Sequence, residues 1–208
     1  MEYCKEPIPP ELYAFLAEAY KSELNEERSI KLLNLLEQIQ TDVPQIQTAL
    51  NELEGYLAQI ALNTVNNLLP LGIEYMNLFR GAGHTPVFLY EAVHLSGEGL
   101  MYEAPYFEVK EFYENCGFEI EPGWIEPEDH ISVECQFMNF MCKRILKQHD
   151  IGDTELETIL QKQRDDFLRE HFLKWVPQFS VQVICNTSNE FYKQLGILTE
   201  SICQHASS

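Results

Sequence analysis

Hydrophobic residues recur every three or four positions along almost the whole chain, and this spacing limits the possible folds more than any other feature. The longest run of this kind contains Ile46, Leu50, Leu53, Leu57 and Ile60. Residues at this spacing share one face of an α-helix, which is then buried against neighbouring helices. Alternation of hydrophobic and polar residues, the sign of a half-buried strand, never extends beyond a few positions. The sequence therefore predicts an all-α protein of roughly nine to eleven helices.

The length of the chain predicts one domain over residues 1–208. A chain of 208 residues can bury one sizeable hydrophobic core without dividing into two. It contains neither an internal repeat nor a low-complexity tract that would mark a linker. We predict that one helix ends near Pro70 and that a short helix follows over 71–79. A long helix is predicted from Pro127 to about Gln148.

The charge balance excludes some classes of partner. Asp and Glu total 33 against 14 Lys and Arg, which gives a formal net charge of -19. A surface of this sign repels nucleic acid and anionic lipid headgroups. It either attracts a basic partner or serves only to keep the protein soluble, and composition does not distinguish these two roles.

The cysteines and the hydropathy of the chain predict a reduced, cytoplasmic protein. The cysteines are Cys4, Cys116, Cys135, Cys142, Cys185 and Cys203. They form no Cys-x-x-Cys pair and lie in apolar stretches, as buried free thiols do. The first residues lack the basic and apolar regions of a signal peptide, and no run of roughly 18 apolar residues could span a membrane. We therefore expect free thiols, no metal site and no bound cofactor.

The string Glu-Pro-Glu-Asp-His at 126–130 has two interpretations. In the first it starts a helix, with proline at the first position and Asp129 accepting a hydrogen bond from the N–H group of Glu126. In the second, His130 and Glu134 share one helix face and line a polar cleft. A metal site is disfavoured because this pair supplies only two ligands. General acid–base catalysis at this position would lack an accompanying nucleophile.

Tyr75, Leu78 and Phe79 form a second motif, an apolar patch on one face of a short helix. Most such patches belong to a hydrophobic core. A glycine-containing segment, 81–86, follows directly, and irregular loops of this kind often border binding clefts. The patch is therefore either part of the core or a contact surface for a peptide.

Together the two motifs resemble the paired signatures of the TorD/DmsD/NarJ family of cytoplasmic chaperones for molybdoenzymes. The family pattern is an aromatic residue followed by x-x-Leu-Phe, and later Glu-Pro-x-Asp-His. Residues 75–79 and 126–130 match it. The likeness extends from about residue 70 to 200, with Tyr90 at a position where the family usually carries tryptophan. The resemblance implies a TorD-like all-helical fold and a protein that is not an enzyme.

Members of this family bind the twin-arginine signal peptide, or the apo form, of a molybdopterin-dependent oxidoreductase and hold it until the cofactor is inserted. The peptide-contacting residues that the resemblance implies are Tyr75, Leu78, Phe79, Tyr90, Pro127, Asp129 and His130. We expect Asp129 to face an arginine of the peptide while the apolar patch takes its apolar segment. The expected assembly is a monomer or a domain-swapped dimer.

Two other functions stay open at this point. The protein could be an assembly factor for a different metalloenzyme, because a fold alone does not fix the client. It could also be a small helical hydrolase that uses Asp129, His130 and Glu134.

Overall fold

The computed structural model describes the backbone of residues 8–62 and 64–207, and the side chains of these residues except those of 61–67. Within these ranges the chain forms ten α-helices and one π-helical segment, Leu168–Phe172. The helices are α1 (Pro10–Lys21), α2 (Glu26–Leu36), α3 (Pro44–Leu62), α4 (Thr64–Phe79), α5 (Glu91–Leu95), α6 (Ala104–Cys116), α7 (Ile131–Ile151), α8 (Thr154–Phe167), α9 (Leu173–Asn186) and α10 (Glu190–Ala206). The same ranges contain no strand, only an isolated antiparallel bridge between Tyr90 and His130. The all-α prediction is confirmed.

Helix α1 lies at the centre of the fold. It packs mainly against α7 and also contacts α2 and α10. Its sequence, PELYAFLAEAYK, is apolar on nearly every side, and 9 of its 12 residues are buried. A helix of this composition is stable only when other helices cover it all round. The hydrophobic side chains of α1 therefore form the inner part of the core.

The buried carboxylate of Glu18 joins α1 to α2. It accepts hydrogen bonds from Nε of Arg28 at 2.7 Å and from Nζ of Lys31 at 2.6 Å. Burial acts to raise the pKa of Glu18, but these two hydrogen bonds outweigh it and hold the pKa below its ordinary value. The carboxylate therefore stays ionised and fixes the angle between the two helices.

Aromatic rings from α1, α4, α9 and α10 pack together in the core. The ring of Tyr20 lies 6.0 Å from Phe79 of α4 and 5.3 Å from Phe179 of α9. Phe79 in turn lies 5.7 Å from Tyr192 of α10. The Tyr20 hydroxyl forms a buried 2.9 Å hydrogen bond with the hydroxyl of Thr199. This cluster fixes the position of α4, the helix that carries the first sequence motif.

The predicted helix end at Pro70 is wrong. Pro70 lies inside α4, which runs without interruption from Thr64 to Phe79. An internal proline removes one backbone hydrogen bond and costs about 3 kcal/mol. Burial of Leu71 and Tyr75 on the inner face of the same helix offsets that cost, and Pro70 itself is exposed. Residue 63, between α3 and α4, lies outside the described residues.

Four of the cysteines, Cys116, Cys135, Cys142 and Cys203, are buried free thiols, whereas the free thiol of Cys185 is exposed. Cys4 lies outside the described residues. Among the helices that the structure describes, none is both long enough and apolar enough to cross a bilayer. The assignment of residues 1–208 to one domain stays a prediction.

Helices α9 and α10 approach so closely that a side chain at Gly196 would collide with α9. A methyl group there would lie 2.8 Å from Cγ1 of Ile184 and 3.3 Å from the carbonyl oxygen of Ser180. Gly196→Ala should therefore lower the free energy of unfolding by about 1–3 kcal/mol. Gly55→Ala is the matched control, because nothing lies within 4 Å of that position in α3. The control should raise stability by about 0.5–1 kcal/mol. Urea unfolding of both variants measures the difference, and equal effects would contradict the close packing.

Candidate functional site

The predicted helix start at Pro127 is wrong. The motif at 126–130 precedes α7, which begins at Ile131. Its last residues pair instead with the segment before α5. The N–H group of Ile131 donates to the carbonyl oxygen of Leu89 at 2.8 Å, and that of Glu91 donates to the carbonyl oxygen of Asp129 at 3.0 Å. These donors are used for pairing between segments, which holds residue 130 in an extended conformation and delays the start of the helix.

The carboxylate of Asp129 caps a helix, but not the predicted one. Its Oδ2 atom accepts a 2.8 Å hydrogen bond from the N–H group of Ala92, in the first turn of α5. Its Oδ1 atom is buried without a hydrogen-bond partner among the described residues. Burial, with the nearby charge of Glu91 adding to it, raises the pKa of Asp129 to about 6. With an exposure of 1 %, this carboxylate is closed to a peptide arginine in this conformation.

The imidazole of His130 is enclosed and acts as the N-terminal cap of α7. Its Nδ1 atom accepts a 3.0 Å hydrogen bond from the N–H group of Ser132, so the neutral ring carries its proton on Nε2. The rings of Tyr90 and Trp124 lie edge-on to it at 5.4 and 5.3 Å. Burial lowers the pKa of His130 to about 3. The ring is therefore uncharged at neutral pH and packs as part of the protein interior.

The carboxylate of Glu126, the first residue of the motif, is partly exposed. It accepts hydrogen bonds from Nη2 of Arg80 at 2.6 Å and from the hydroxyl of Tyr90 at 2.8 Å. The hydrogen bond from Arg80 is the main reason that the pKa of Glu126 lies below its ordinary value. Two positions along the loop, Glu128 accepts a 3.1 Å hydrogen bond from Nζ of Lys110. Two partly exposed carboxylates therefore lie on one loop, each paired with a cation of the protein itself.

Tyr75, Leu78 and Phe79 are core residues in this structure, each 2 % exposed. The Tyr75 hydroxyl donates to the carbonyl oxygen of Tyr20 at 3.4 Å. The carbonyl oxygen of Leu78 accepts a 2.6 Å hydrogen bond from the N–H group of Val87. The motif thus holds α4 against α1 and anchors the segment that leads to Tyr90. It presents no apolar patch to solvent in this conformation.

The turn after α4 depends on glycine at two positions. Gly81 has a φ of 75°, in the left-handed region that side chains disfavour. A methyl group on Gly83 would lie 2.7 Å from the carbonyl oxygen of Asn77. The turn places Arg80, which sequence reasoning did not select, next to Glu126. Its position directly after the Leu-Phe pair was the one available signal.

Asp129, His130 and Glu134 are not arranged as a catalytic group. The Glu134 carboxylate accepts hydrogen bonds from Nε1 of Trp175 at 3.0 and 3.2 Å, and burial raises the pKa of Glu134 well above its ordinary value. The three side chains therefore form their hydrogen bonds with different partners, and all are buried. Within the described ranges, no three His, Cys, Asp or Glu side chains are grouped so that they could hold a metal ion.

A buried pair between α5 and the π-helical segment was also not predicted from the sequence. The Glu91 carboxylate lies 3.0 Å from Nδ1 of His171. Burial raises the pKa of Glu91, although the hydrogen bond with His171 opposes this shift. The two residues are 80 positions apart, so no local spacing could have revealed them.

Comparison with known proteins finds one matching family model and several similar chains. The family model described as nitrate reductase delta subunit matches residues 37–181, more than half of the chain. The chaperone protein TorD of Psychrobacter sp. (strain PRwf-1) is 26 % identical over 82 % of this chain and 76 % of its own length. TorD of Vibrio atlanticus (strain LGP32) is 23 % identical over 93 % of this chain and 90 % of its own length. A crystal structure of a redox enzyme maturation protein from Archaeoglobus fulgidus covers 98 % of both chains at 22 % identity, with a TM-score of 0.61. This structural likeness supports the fold.

The shifted pKa values of His130 and Asp129 predict opposite effects of acid on stability. Between its ordinary pKa of 6.5 and the folded value of about 3, His130 takes up a proton in the unfolded chain only, so stability falls as the pH decreases. Asp129 holds an extra proton in the folded protein between about 6 and its ordinary 3.8, so stability rises there as the pH decreases. Each proton changes the slope by about 1.4 kcal/mol per pH unit.

Two conservative variants separate these contributions. His130→Asn keeps a cap acceptor for α7, and its stability relative to the wild type should increase as the pH falls from 6.5 to 4. Asp129→Asn keeps an acceptor for Ala92, and its stability relative to the wild type should decrease as the pH falls from 6 to 4. Urea unfolding at a series of pH values from 7 to 4 measures both slopes. Parallel curves for the wild type and both variants would contradict the burial of these groups.

Proposed function

The chain belongs to the nitrate reductase delta subunit family, and from this membership we propose that it is a chaperone for a molybdopterin-dependent oxidoreductase. Membership confirms the resemblance to the TorD/DmsD/NarJ chaperones. We further propose that the protein acts in the cytoplasm, where it binds the twin-arginine signal peptide or the apo form of its client. It holds the client until the cofactor has been inserted. In this proposal the protein is not an enzyme.

One observation carries the proposal for an arginine-containing ligand: the Glu126 carboxylate already binds a guanidinium group. Arg80 donates to Oε1 and the Tyr90 hydroxyl to Oε2. An ionised carboxylate has about four acceptor positions, so a peptide guanidinium can bind alongside these two donors. Glu128 offers a second carboxylate on the same loop. The net charge of -19 adds a long-range attraction for a basic peptide.

The buried residues of the two motifs support this loop from within. Asp129 ties the loop to α5 through Ala92, and His130 starts α7 at a fixed position. Tyr75 and Phe79 hold α4 in place from the inner side. We propose that these residues position the binding surface around Glu126. Tyr90 and Pro127 are buried as well, and the Tyr90 hydroxyl orients the Glu126 carboxylate. Direct peptide contact by any of these buried side chains would require them to become exposed first.

The hydrolase alternative receives no support from the geometry, because its three residues form hydrogen bonds with separate partners. The expected assembly, a monomer or a domain-swapped dimer, stays a prediction. Affinity capture from anaerobically grown cells would identify the client. Recovery of an unprocessed molybdoenzyme precursor is the expected result, and its absence under conditions in which such precursors are made would contradict the proposal.

Arg80 and Glu126 should affect peptide binding in opposite directions. The probe is a fluorescent synthetic peptide with two consecutive arginines followed by an apolar segment, and fluorescence anisotropy gives its Kd. Glu126→Gln should weaken binding about tenfold, because it removes a charge-assisted hydrogen bond and leaves Arg80 to repel the peptide. Arg80→Gln should strengthen binding several-fold, because it removes a competing cation.

Asp166→Asn is the matched control for these variants. Asp166 of α8 also accepts from an arginine, Arg169, and its side chain has the same exposure as that of Glu126, 21 %. This control should leave Kd unchanged. A peptide with glutamines in place of the two arginines should bind all four proteins about equally. If Glu126→Gln and Asp166→Asn bind the arginine peptide equally well, Glu126 is not its partner.

A further inference from the structure

Helix α4 carries a stripe of hydrophobic side chains on its solvent-facing side. Leu69, Ile73 and Met76 are 68, 54 and 40 % exposed. Together with Arg80, just beyond the end of α4, they recur at spacings of four, three and four residues, so all four lie on one face of the helix. Single exposed hydrophobic residues are common, but a contiguous row along one helix often marks an interaction surface.

This stripe lies across the helix from the buried motif. Tyr75, Leu78 and Phe79 face the core, so they cannot receive an apolar ligand without a rearrangement. The outer stripe needs no rearrangement, because its side chains are already in solvent. The inner face of α4 thus packs against the core, and the outer face is accessible to a ligand.

The stripe ends at the carboxylate that binds arginine. Arg80, one turn beyond Met76, donates to Glu126 at 2.6 Å. The neighbour of Glu126 in the chain, Ile125, is 92 % exposed. An apolar row of about 10 Å, from Leu69 to Met76, therefore leads to a negative group at one end. Its complement is a peptide in which arginine comes before an apolar segment.

We propose that the outer face of α4, formed by Leu69, Ile73 and Met76, binds the apolar segment of such a peptide while the peptide arginine pairs with Glu126. This inference rests on the proposed function and adds to it the surface that supplies most of the apolar contact. Because arginine precedes the apolar segment in the peptide, the peptide runs antiparallel to α4. About two turns of a helical peptide match the length of the stripe.

The test replaces the stripe without touching the core or Glu126. A variant with Leu69→Ser, Ile73→Ser and Met76→Ser should bind the fluorescent twin-arginine peptide at least tenfold more weakly than the wild type. The matched control carries Leu146→Ser, Ile151→Ser and Ile159→Ser, which are 48, 66 and 49 % exposed on α7 and α8. It removes similar exposed hydrophobic surface and should bind like the wild type.

A second peptide, with the same arginines and an apolar segment replaced by serine and glycine, completes the cycle. It should bind the wild type and the stripe variant equally weakly, because the two changes remove the same contact. If the triple variant unfolds at lower temperature than the wild type, the single Ile73→Ser variant replaces it, with an expected loss of about threefold.

The outcomes separate the two proposals. If the wild type does not bind the twin-arginine peptide, the proposed function fails and the inference fails with it. If the wild type binds and the stripe variant binds equally well, or if both triple variants lose the same affinity, only the inference about α4 is overturned. Loss confined to the stripe variant supports it.

Discussion

The hydrogen bond from the N–H group of Ala92 to the buried carboxylate of Asp129 joins two segments that are 37 residues apart. The surrounding structure depends on it. The neighbouring backbone bonds align Leu89–Glu91 with 129–131, and this alignment sets where α5 and α7 begin. It also fixes the loop that carries Glu126 and Glu128. A carboxylate at the start of a helix is a common stabilising arrangement, but here the carboxylate comes from a different part of the chain.

This arrangement places acidic groups in an apolar interior. Glu91, Asp129 and Glu134 are all buried, and their mutual repulsion adds to the effect of burial in raising the pKa of Asp129 and Glu134. Each carboxyl group has a specific hydrogen-bond partner: His171, the N–H group of Ala92, and the indole of Trp175, respectively. Loss of one partner would leave a buried carboxyl group unpaired, at a cost of about 1–3 kcal/mol or more. The network therefore favours one arrangement of α5, α7 and α9 over alternatives.

Much of the helical architecture could be predicted from local spacing, and the site could not. The period of three to four residues predicted the all-α class, and the run from Ile46 to Ile60 lies within α3. Pro70 misled because burial of the inner face of α4 outweighs the local preference of proline. The motif at 126–130 misled because Asp129 and the adjoining Ile131 form hydrogen bonds with Leu89–Ala92, which no local pattern shows. On α4 both faces are apolar, so spacing alone could not tell which one faces the core.

The pair between Arg80 and Glu126 has a consequence for selectivity. A chain with a net charge of -19 would attract many basic proteins in a crowded cell if its carboxylates had no cationic partners within the protein. The side chain most suited to an arginine is instead already partnered, so an isolated cation gains little by approaching it. A ligand must bring something more, such as a hydrophobic segment of the right length on the correct side of its arginine. The pairing of Glu126 with Arg80 thus selects against basic surfaces that lack such a hydrophobic segment.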